Sequence, residues 1–187
     1  MNIEVEIKVQ WDNLKEIQAK LPKFGKRQKA IRQIDEYYVP VHRDFFAQEP
    51  HPTEWLRIRT NPDKVFFEYH RSVENRQDDS LEYTEEYETE IGDSEDLHNI
   101  LEFLNFRKVV TVEKQREYWD CGKLEVVLDD VENLGTFIEV EAKKDFASHS
   151  EAKQACEDFL LELGIPYSPK LDVRKGYPTM LLEKIGA

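Results

Sequence analysis

The chain has 187 residues, 40% of them hydrophobic and 35% charged, and its formal net charge is −13. This composition is typical of a folded globular protein, and the length predicts one domain over residues 1–187. Because nucleic-acid binding needs a clustered basic surface, the acidic balance argues against nucleic acid as a partner.

The sequence has no predicted membrane span, secretory signal or disulfide pattern. No apolar run approaches the roughly 18 residues that cross a bilayer, so no membrane partner is expected. The first residues are charged and do not resemble a secretory signal. Cys121 and Cys156 have neither metal-site spacing nor the pattern of a disulfide scaffold. A reducing cytoplasm is therefore the expected location.

The pattern of apolar residues predicts an α+β chain. Strands are predicted at residues 2–9, 32–40, 55–60, 64–71, 81–91, 107–119, 123–130 and 135–143. Helices are predicted from a cap at Asp12 to Pro22, from Asp93 or Ser94 to Leu104, and from Ser148 or Ser150 to Leu163. GKRQK at 25–29 is predicted to be a solvated turn between the first helix and the second strand, and 171–184 contains a further short apolar segment.

The connections between strands are mostly short or hairpin-like. Eight antiparallel strands can therefore close into a barrel with the helices packed on its outside, which removes the exposed strand edges. A flat sheet packed on helices is the alternative architecture.

Nearly every predicted strand has one apolar face and one charged face. In the first strand, Val5 and Ile7 alternate with Glu6 and Lys8. The acids on the charged faces are Glu4, Glu6, Glu68, Glu86, Glu88, Asp129, Glu139 and Glu141. The bases are Lys8, Arg57, Arg59, Lys114 and Arg116. For one strand a solvated face is the commoner outcome, but repetition over seven strands favours the lumen of a barrel.

Charges inside a lumen must be paired or must bind ions, because burying a bare charge costs on the order of 20 kcal/mol before relaxation. Carboxylates favour hard cations such as Mg²⁺ or Mn²⁺, and Arg and Lys favour phosphate. Acids and bases in one cavity predict a metal-bound polyphosphate.

A set of short motifs carries these charges in a fixed order. They are E-x-E-x-K at Glu4, Glu6 and Lys8, Q-x-D-x-Y at Gln33, Asp35 and Tyr37, L-R-I-R at 56–59, E-x-E at Glu86 and Glu88, K-x-R at Lys114 and Arg116, and LDDVENLGTFIEVE at 128–141. In this order they resemble the CYTH family, also called triphosphate tunnel metalloenzymes, which includes class IV adenylyl cyclases and thiamine triphosphatases. The resemblance runs from residue 3 to about residue 182 and implies an eight-stranded antiparallel tunnel.

The resemblance also implies roles for individual residues. The implied phosphate contacts are Lys8, Arg57, Arg59, Lys114 and Arg116, with His70 and Lys175 as further candidates. The implied metal or water-positioning carboxylates are Glu4, Glu6, Glu139 and Glu141, supported by Glu86, Glu88 and Asp129. Glu4, Glu6 and Lys8 are the candidate catalytic residues. Tyr177 looks like part of the family's C-terminal S-Y-x-x-L-L stretch.

Two positions depart from the family pattern. The family usually has lysine where His70 aligns and often arginine where Thr84 stands, so this chain has fewer permanent positive charges. Histidine still donates a hydrogen bond and is charged only near or below its pKa. An ordinary half-buried strand histidine is an equally good interpretation of His70.

Several functions fit this pattern. The segments HRDFFAQEPHP and D-E-Y-Y-x-P-x-x-R-D-F-F are most similar to the class IV adenylyl cyclase branch, which predicts conversion of ATP to cyclic AMP and pyrophosphate. A triphosphatase acting on organic or inorganic triphosphate is the nearest alternative. A non-catalytic triphosphate-binding module is a third, and an RNA 5′-triphosphatase is disfavoured by the acidic surface. A homodimer is one alternative for the assembly, since Trp11, Trp119 and Phe45 suit either a core or an interface.

Overall fold

A computed structural model describes residues 2–48, 52–74, 81–143 and 146–186. The side chains of residues 2–4, 74 and 81–83 lie outside that description, as do residues 49–51 of HRDFFAQEPHP. The described residues form the strands β1 (Asn2–Gln10), β2 (Lys26–Val39), β3 (Glu54–Thr60), β4 (Val65–Glu74), β5 (Leu81–Ile91), β6 (Arg107–Cys121), β7 (Leu124–Val131) and β8 (Gly135–Ala142). They also form the helices α1 (Leu14–Lys20), α2 (Ser94–Phe103), α3 (His149–Glu162) and α4 (Tyr177–Ile185). No described helix is long and apolar enough to span a bilayer.

The strands close into an antiparallel barrel in the order β1-β5-β4-β3-β2-β6-β7-β8, and β8 pairs back onto β1. Closure depends on β1, which pairs with β5 through Asn2–Glu4 and with β8 through Val5–Gln10. The prediction of an α+β barrel is therefore confirmed, and the alternative of a flat sheet is excluded. In the barrel every strand has a hydrogen-bonded neighbour on both sides.

The second strand is longer than the sequence predicts. It begins at Lys26 rather than at residue 32, so most of GKRQK is strand and not turn. Lys26 pairs with Asp120 and Ala30 pairs with Glu117 of β6. The first part of β2 is exposed on both faces, so it lacks the alternation of apolar and polar residues that marks a half-buried strand.

The helix caps agree with the sequence at two of three places. Asp93 caps α2 and Ser148 caps α3, each accepting hydrogen bonds from backbone N–H groups of the first turn. In α1 the cap is Asn13 and not Asp12: its side-chain oxygen accepts from the backbone N–H of Glu16 at 3.3 Å. The apolar segment within 171–184 forms α4.

The main hydrophobic core lies outside the barrel wall. Ile7 of β1 and Val140 of β8 are fully buried and pack with Ile17 of α1 and with Phe159 and Leu160 of α3. The apolar faces of these strands therefore point outward to the helices, and their charged faces point into the barrel, as the sequence predicts.

A second helix layer covers another part of the wall. Leu101 and Leu97 of α2 pack against Tyr38 of β2 and against Leu56 and Ile58 of β3. Alternate residues of the same strands, such as Tyr37 and Arg57, point to the interior. The helices thus hold the strands by their apolar faces and leave the opposite faces to form an internal site.

The remaining helix, α4, packs at one end of the barrel. Its Tyr177 and Leu181 form a cluster with Tyr37, Val112 and Phe137, which project from the inner surface of the wall. The rings of Phe137 and Tyr177 meet edge to face with centroids 4.9 Å apart. Side chains of α4 therefore pack onto the inner surface of the wall.

Replacing Gly25 with alanine is expected to lower the free energy of unfolding by about 1–3 kcal/mol, the usual cost of overpacking. An added Cβ would lie 2.2 Å from the backbone oxygen of Asp120 and 2.7 Å from Cys121 Sγ, both at the end of β6. Urea denaturation measures the change. Gly92→Ala is the matched control, because nothing lies within 4 Å of its added Cβ. Equal stability of the two variants would contradict this close approach.

Candidate functional site

Alternate residues of all eight strands line the interior of the barrel, which we call the tunnel. Its described lining includes the carboxylates Glu6, Asp35, Glu68, Glu86, Glu88, Glu125, Asp129, Glu139 and Glu141. It also includes the permanent cations Lys8, Arg57, Arg59, Lys114 and Arg116. Carboxylates therefore outnumber permanent cations in this lining.

One ion-pair network joins β2, β3 and β4. Arg59 binds Asp35 through two hydrogen bonds, Nε to Oδ1 at 2.7 Å and Nη2 to Oδ2 at 3.0 Å. Arg57 Nε donates to Glu68 Oε2 at 2.6 Å. Burial disfavours an ionised Asp35, but Arg59, Lys114 and Arg57 outweigh it and hold the pKa of that carboxyl well below its usual range. Asp35 therefore stays charged and neutralises these bases.

A second network joins β6, β7 and β8. Arg116 Nε donates to Asp129 Oδ1 at 2.7 Å, and its Nη2 donates to Glu139 Oε2 at 2.5 Å. The hydroxyl of Tyr177 donates to Asp129 Oδ2 at 2.9 Å. Burial would raise the pKa of Glu139, but Arg116, Lys8 and Lys114 lower it to about 2. The carboxyl of Glu139 therefore remains charged over the whole physiological range.

Two lysines lie deep in the tunnel beside Tyr177. The Nζ of Lys8 is 3.7 Å from Glu139 and 4.8 Å from the centroid of the Tyr177 ring. The Nζ of Lys114 is 3.5 Å from Asp35 and 5.1 Å from the same centroid. Burial, followed by the charge of Arg116, lowers the pKa of Lys114 to about 8. The two ammonium groups thus share one aromatic ring, an arrangement that favours cations.

His70 of β4 lies inside the tunnel next to Arg57. Its Nε2 is 3.1 Å from Glu68 Oε2 and 3.3 Å from Arg57 Nη2. Its Nδ1 is 3.0 Å from Glu86 Oε1. The structure therefore places His70 among the predicted phosphate contacts, with both ring nitrogens facing carboxylates.

A different set of carboxylates lacks such compensation. Glu6 of β1 lies opposite Glu141 of β8 in the register, and Glu141 lies opposite Glu125 of β7. Burial, and then repulsion from Glu6 and Glu125, raises the pKa of Glu141 to about 8. Burial and Glu139 likewise raise the pKa of Glu6, although Lys8 is 3.8 Å from it. The carboxylates therefore divide into a group paired with Arg or Lys and a group with excess negative charge.

The excess negative charge suits a hard divalent cation. No group of three His, Cys, Asp or Glu side chains in the described residues is arranged to hold a metal. Mg²⁺, however, is commonly bound by only one or two carboxylates, with waters and substrate phosphates completing its shell. Glu6 and Glu141 fit that role by charge and by their oxygen chemistry. Gln33 Oε1 and Glu68 Oε1 are buried and accept no hydrogen bond from the described residues, although Arg59 Nη1 lies 3.5 Å from Glu68 Oε1.

The structure places most of the predicted site residues together, with instructive exceptions. Asp129 was predicted to support a metal, but its two oxygens are engaged by Arg116 and Tyr177. Glu88 was also predicted to support a metal, but it is exposed. Lys175 does not join the tunnel: its side chain is exposed and its Nζ pairs with Glu183 of α4. The side chain of Glu4 lies outside the description, although its backbone pairs with Thr84.

Other tunnel residues were not assigned a role from the sequence. Asp35 and Gln33 are buried in the wall, and both belong to the Q-x-D-x-Y motif that marked them as unusual. Tyr177 was matched to a family motif but not placed in the site. Glu125 was not among the candidate site residues, and only the register shows that it lies opposite Glu141.

A closed antiparallel barrel with a charged interior and helices on its outside defines a tunnel protein. Solved structures share this fold. The PH1819 protein from Pyrococcus horikoshii OT3 is 31% identical, with a TM-score of 0.80 over 97% of this chain and 99% of that chain. A Hippeastrum protein, provisionally named an adenylyl cyclase and described as having a dominant triphosphatase activity, is 18% identical, with a TM-score of 0.64 over 100% of this chain and 96% of that chain. At 18% identity that likeness shows the fold alone.

The profile of the CYTH domain matches residues 2–177. The Methanocaldococcus jannaschii protein MJ0240, provisionally named an adenylate cyclase, is 33% identical over 178 residues, covering 94% of this chain and 96% of the relative. The chain belongs to the CYTH family, whose members act on triphosphate substrates and generally use divalent metal ions. This confirms the resemblance found in the ordered motifs.

In metal-free buffer, Glu141→Gln is expected to raise the free energy of unfolding at pH 8.5 and to change it little at pH 4. Because the pKa of Glu141 is raised to about 8 in the folded state, the folded chain binds more protons than the unfolded chain between about pH 4.5 and 8. Stability is therefore lost as the pH rises through this window. Urea denaturation at both pH values measures the effect.

The control for this test is Glu162→Gln, which removes an exposed acid at the end of α3. An equal gain from both variants at pH 8.5 would show that only net charge matters. A fall in the stability of the Glu141→Gln variant would contradict the conclusion that the charge of Glu141 is uncompensated.

Proposed function

We propose that this chain is a metal-dependent enzyme that acts on a triphosphate bound inside the tunnel, with the adenylyl cyclase reaction as its activity. In that reaction ATP gives cyclic AMP and pyrophosphate. The observation that carries the proposal is the division of the tunnel charges into Arg and Lys networks and a separate set of uncompensated carboxylates. A triphosphate alone would be repelled by the excess of carboxylates, so it must enter together with cations.

The basic residues suit binding of the phosphate chain. Arg57, Arg59 and Arg116 present planar guanidinium groups that can bind phosphate oxygens through paired hydrogen bonds. Lys8 and Lys114 add two point charges deeper in the tunnel. Phosphoryl and nucleotidyl transfer depend mostly on such positioning and charge neutralisation, with little covalent chemistry by the protein.

The uncompensated carboxylates suit the metal. We assign Mg²⁺ or Mn²⁺ to Glu6 and Glu141, together with Glu4 of the E-x-E-x-K motif and with Glu86 nearby. A divalent ion bound there supplies Lewis-acid polarisation of phosphate oxygens and neutralises developing charge. Glu139 would support this site from the Arg116 network, since its pKa keeps it ionised.

For the cyclase reaction, the ribose 3′-oxygen attacks the α-phosphorus and loses its proton, while the bond to the β-phosphate oxygen breaks and pyrophosphate leaves. In this proposal the carboxylates of Glu4 and Glu6 orient the nucleophile, and Lys8 neutralises charge on the phosphates. The relative from Methanocaldococcus jannaschii, whose provisional name is adenylate cyclase, supports this choice.

A triphosphatase is the second candidate. In that reaction water attacks the terminal phosphorus, and the remaining diphosphate leaves. The Hippeastrum protein with the same fold is described as having a dominant triphosphatase activity. The same arginines and lysines would serve either reaction, since the two differ in which phosphorus meets the nucleophile.

Product analysis tests these proposals. The protein is incubated with ATP, and separately with inorganic triphosphate, in the presence of Mg²⁺ or Mn²⁺, and the products are separated by chromatography. Cyclic AMP with pyrophosphate supports the cyclase. ADP with phosphate, or pyrophosphate with phosphate from inorganic triphosphate, supports the triphosphatase instead. Binding without any product would leave a non-catalytic module and would overturn the enzyme proposal.

Arg116→Gln is expected to lower turnover by about 100-fold or more, since it removes a buried charge that contacts both Asp129 and Glu139. Arg107→Gln is the matched control, because Arg107 is exposed and pairs with Asp44 on the outer surface. Circular dichroism establishes that both variants are folded. Comparable activity in the two variants would remove Arg116 from the site.

His70→Lys is expected to strengthen triphosphate binding at pH 8, and His70→Ala is expected to weaken it. Lysine would place a permanent positive charge between Glu68 and Glu86, whereas alanine would remove the hydrogen-bonding ring altogether. Isothermal titration with inorganic triphosphate and Mg²⁺ measures both changes. Unchanged affinity in both variants would mean that the ring has no part in phosphate binding.

A further inference from the structure

Helix α2 has a second apolar face that its packing on the barrel does not use. Leu97 and Leu101 pack on the barrel wall, whereas Ile100, Phe103 and Leu104 are 52%, 85% and 62% exposed. Residues three and four positions apart lie on one side of a helix, so these three exposed side chains form one continuous surface, which we call the α2 patch. Single exposed apolar residues are ordinary, but a contiguous group of them marks an interaction surface.

The charges at the two ends of α2 have opposite signs. Glu95 and Asp96 lie in the first turn of the helix, and both are exposed. Arg107 and Lys108 follow shortly after its last turn, and their side chains are 62% and 52% exposed. Each of these bases also forms an ion pair within its own chain, yet this exposure leaves both accessible to a partner. The α2 patch therefore lies between an acidic end and a basic end.

Asn105 ends α2 and keeps the bases close to the patch. Its φ of 60° is left-handed, a conformation that asparagine adopts more readily than most residues. The backbone N–H of Phe106 then donates to the carbonyl oxygen of Leu101 at 2.8 Å, which is the usual closing bond of a helix C-terminus. The chain turns at once into β6, so Arg107 follows only three residues after Leu104.

We propose that the α2 patch is the contact surface of a homodimer, in which two copies of α2 pack antiparallel about a two-fold axis. In this arrangement Ile100 of one copy lies against Phe103 of the other. The acidic start of each helix lies beside Arg107 and Lys108 of the other copy. The patch is on the outside of the barrel and uses no tunnel side chain, so the inference is independent of the proposed function.

Charge complementarity favours a second copy of this chain as the occupant. A two-fold contact requires a surface that is complementary to itself, and acids at one end with bases at the other meet that requirement. Two chains that each carry a formal net charge of −13 repel one another, so their contact needs bases beside acids. A different protein would also cover the apolar side chains, but its binding would not require both signs of charge around them.

Analytical ultracentrifugation of the full chain tests the dimer. Sedimentation equilibrium is measured from about 1 to about 200 μM protein, at about 100 mM salt, so that charges in contact are only partly screened. We expect a monomer–dimer equilibrium with a dissociation constant on the order of 10 μM, since the contact is small and lies at the weak end of specific interfaces. A protein that remains monomeric over the whole range overturns the proposal.

A serine at the centre of the patch tests which surface forms the dimer. Phe103→Ser is expected to raise the dissociation constant at least about tenfold, because a large aromatic side chain at the centre of a contact supplies much of its binding energy. Leu161→Ser is the matched control, since Leu161 is 53% exposed on α3 and lies outside the patch. The control should dimerise like the wild type. Unchanged dimerisation of Phe103→Ser, or an equal loss in both variants, overturns the proposal.

Charge reversal tests the antiparallel arrangement. Asp96→Lys and Arg107→Glu are each expected to weaken the dimer about threefold to tenfold, and the double variant is expected to return to within about threefold of the wild type. Asp96 and Arg107 lie at opposite ends of a helix about 15 Å long, so this recovery requires contact between two copies. A double variant that dimerises no better than the single variants overturns the arrangement.

Discussion

Asp129 has no exposed surface, and Arg116 and Tyr177 donate hydrogen bonds to its two carboxylate oxygens. The same constraint recurs around the tunnel: Asp35 is held by Arg59, and Glu139 by Arg116. A buried ion pair of this kind stabilises the fold only weakly, because desolvation offsets most of the attraction. Removing one partner, however, leaves an uncompensated charge. The charged side chains of the interior therefore depend on one another, since each buried charge needs its partner.

A charged interior is possible because the hydrophobic core lies outside the barrel wall, where the helices cover the apolar faces of the strands. Fully buried residues such as Ile7, Val140 and Leu160 pack outside the wall, between strands and helices. In most small barrels the interior supplies the core; here the outer face does so, and the inner face is released for ionisable groups. Closure of the barrel then fixes opposite charges across from one another, as Lys8 and Glu139 are in the register.

The proposed function rests on the excess of carboxylates that remains in the tunnel after arginine and lysine have paired with the other acids. Glu6 and Glu141 face each other with raised pKa values, while the acids beside them are neutralised by arginine. A protein selected for stability alone would be expected to lose such a pair, since repulsion between them disfavours the folded state. Their presence in a lining that also holds five permanent cations is the observation on which the proposed binding of metal ions together with phosphates rests.

Much of this was determined by the sequence itself. Strict alternation in residues 2–9 and 135–143 set both the strands and the face that carries Glu6, Lys8 and Glu139, because side chains of a strand alternate with a period of two. The ordered motifs identified the family. Where both faces are exposed, as at the start of β2, the alternation disappears, and the sequence therefore predicts the strand to begin at residue 32 rather than at Lys26.

Only the tertiary structure decided which charges meet. Sequence places Asp129 and Glu141 alike on a charged strand face, but register pairs Asp129 with Arg116 and sets Glu141 against Glu6 and Glu125. Lys175 lies two residues before Tyr177, yet the start of α4 directs the tyrosine into the tunnel and leaves the lysine on the surface with Glu183. Such pairings join residues far apart in the chain, and no local pattern of residues encodes them.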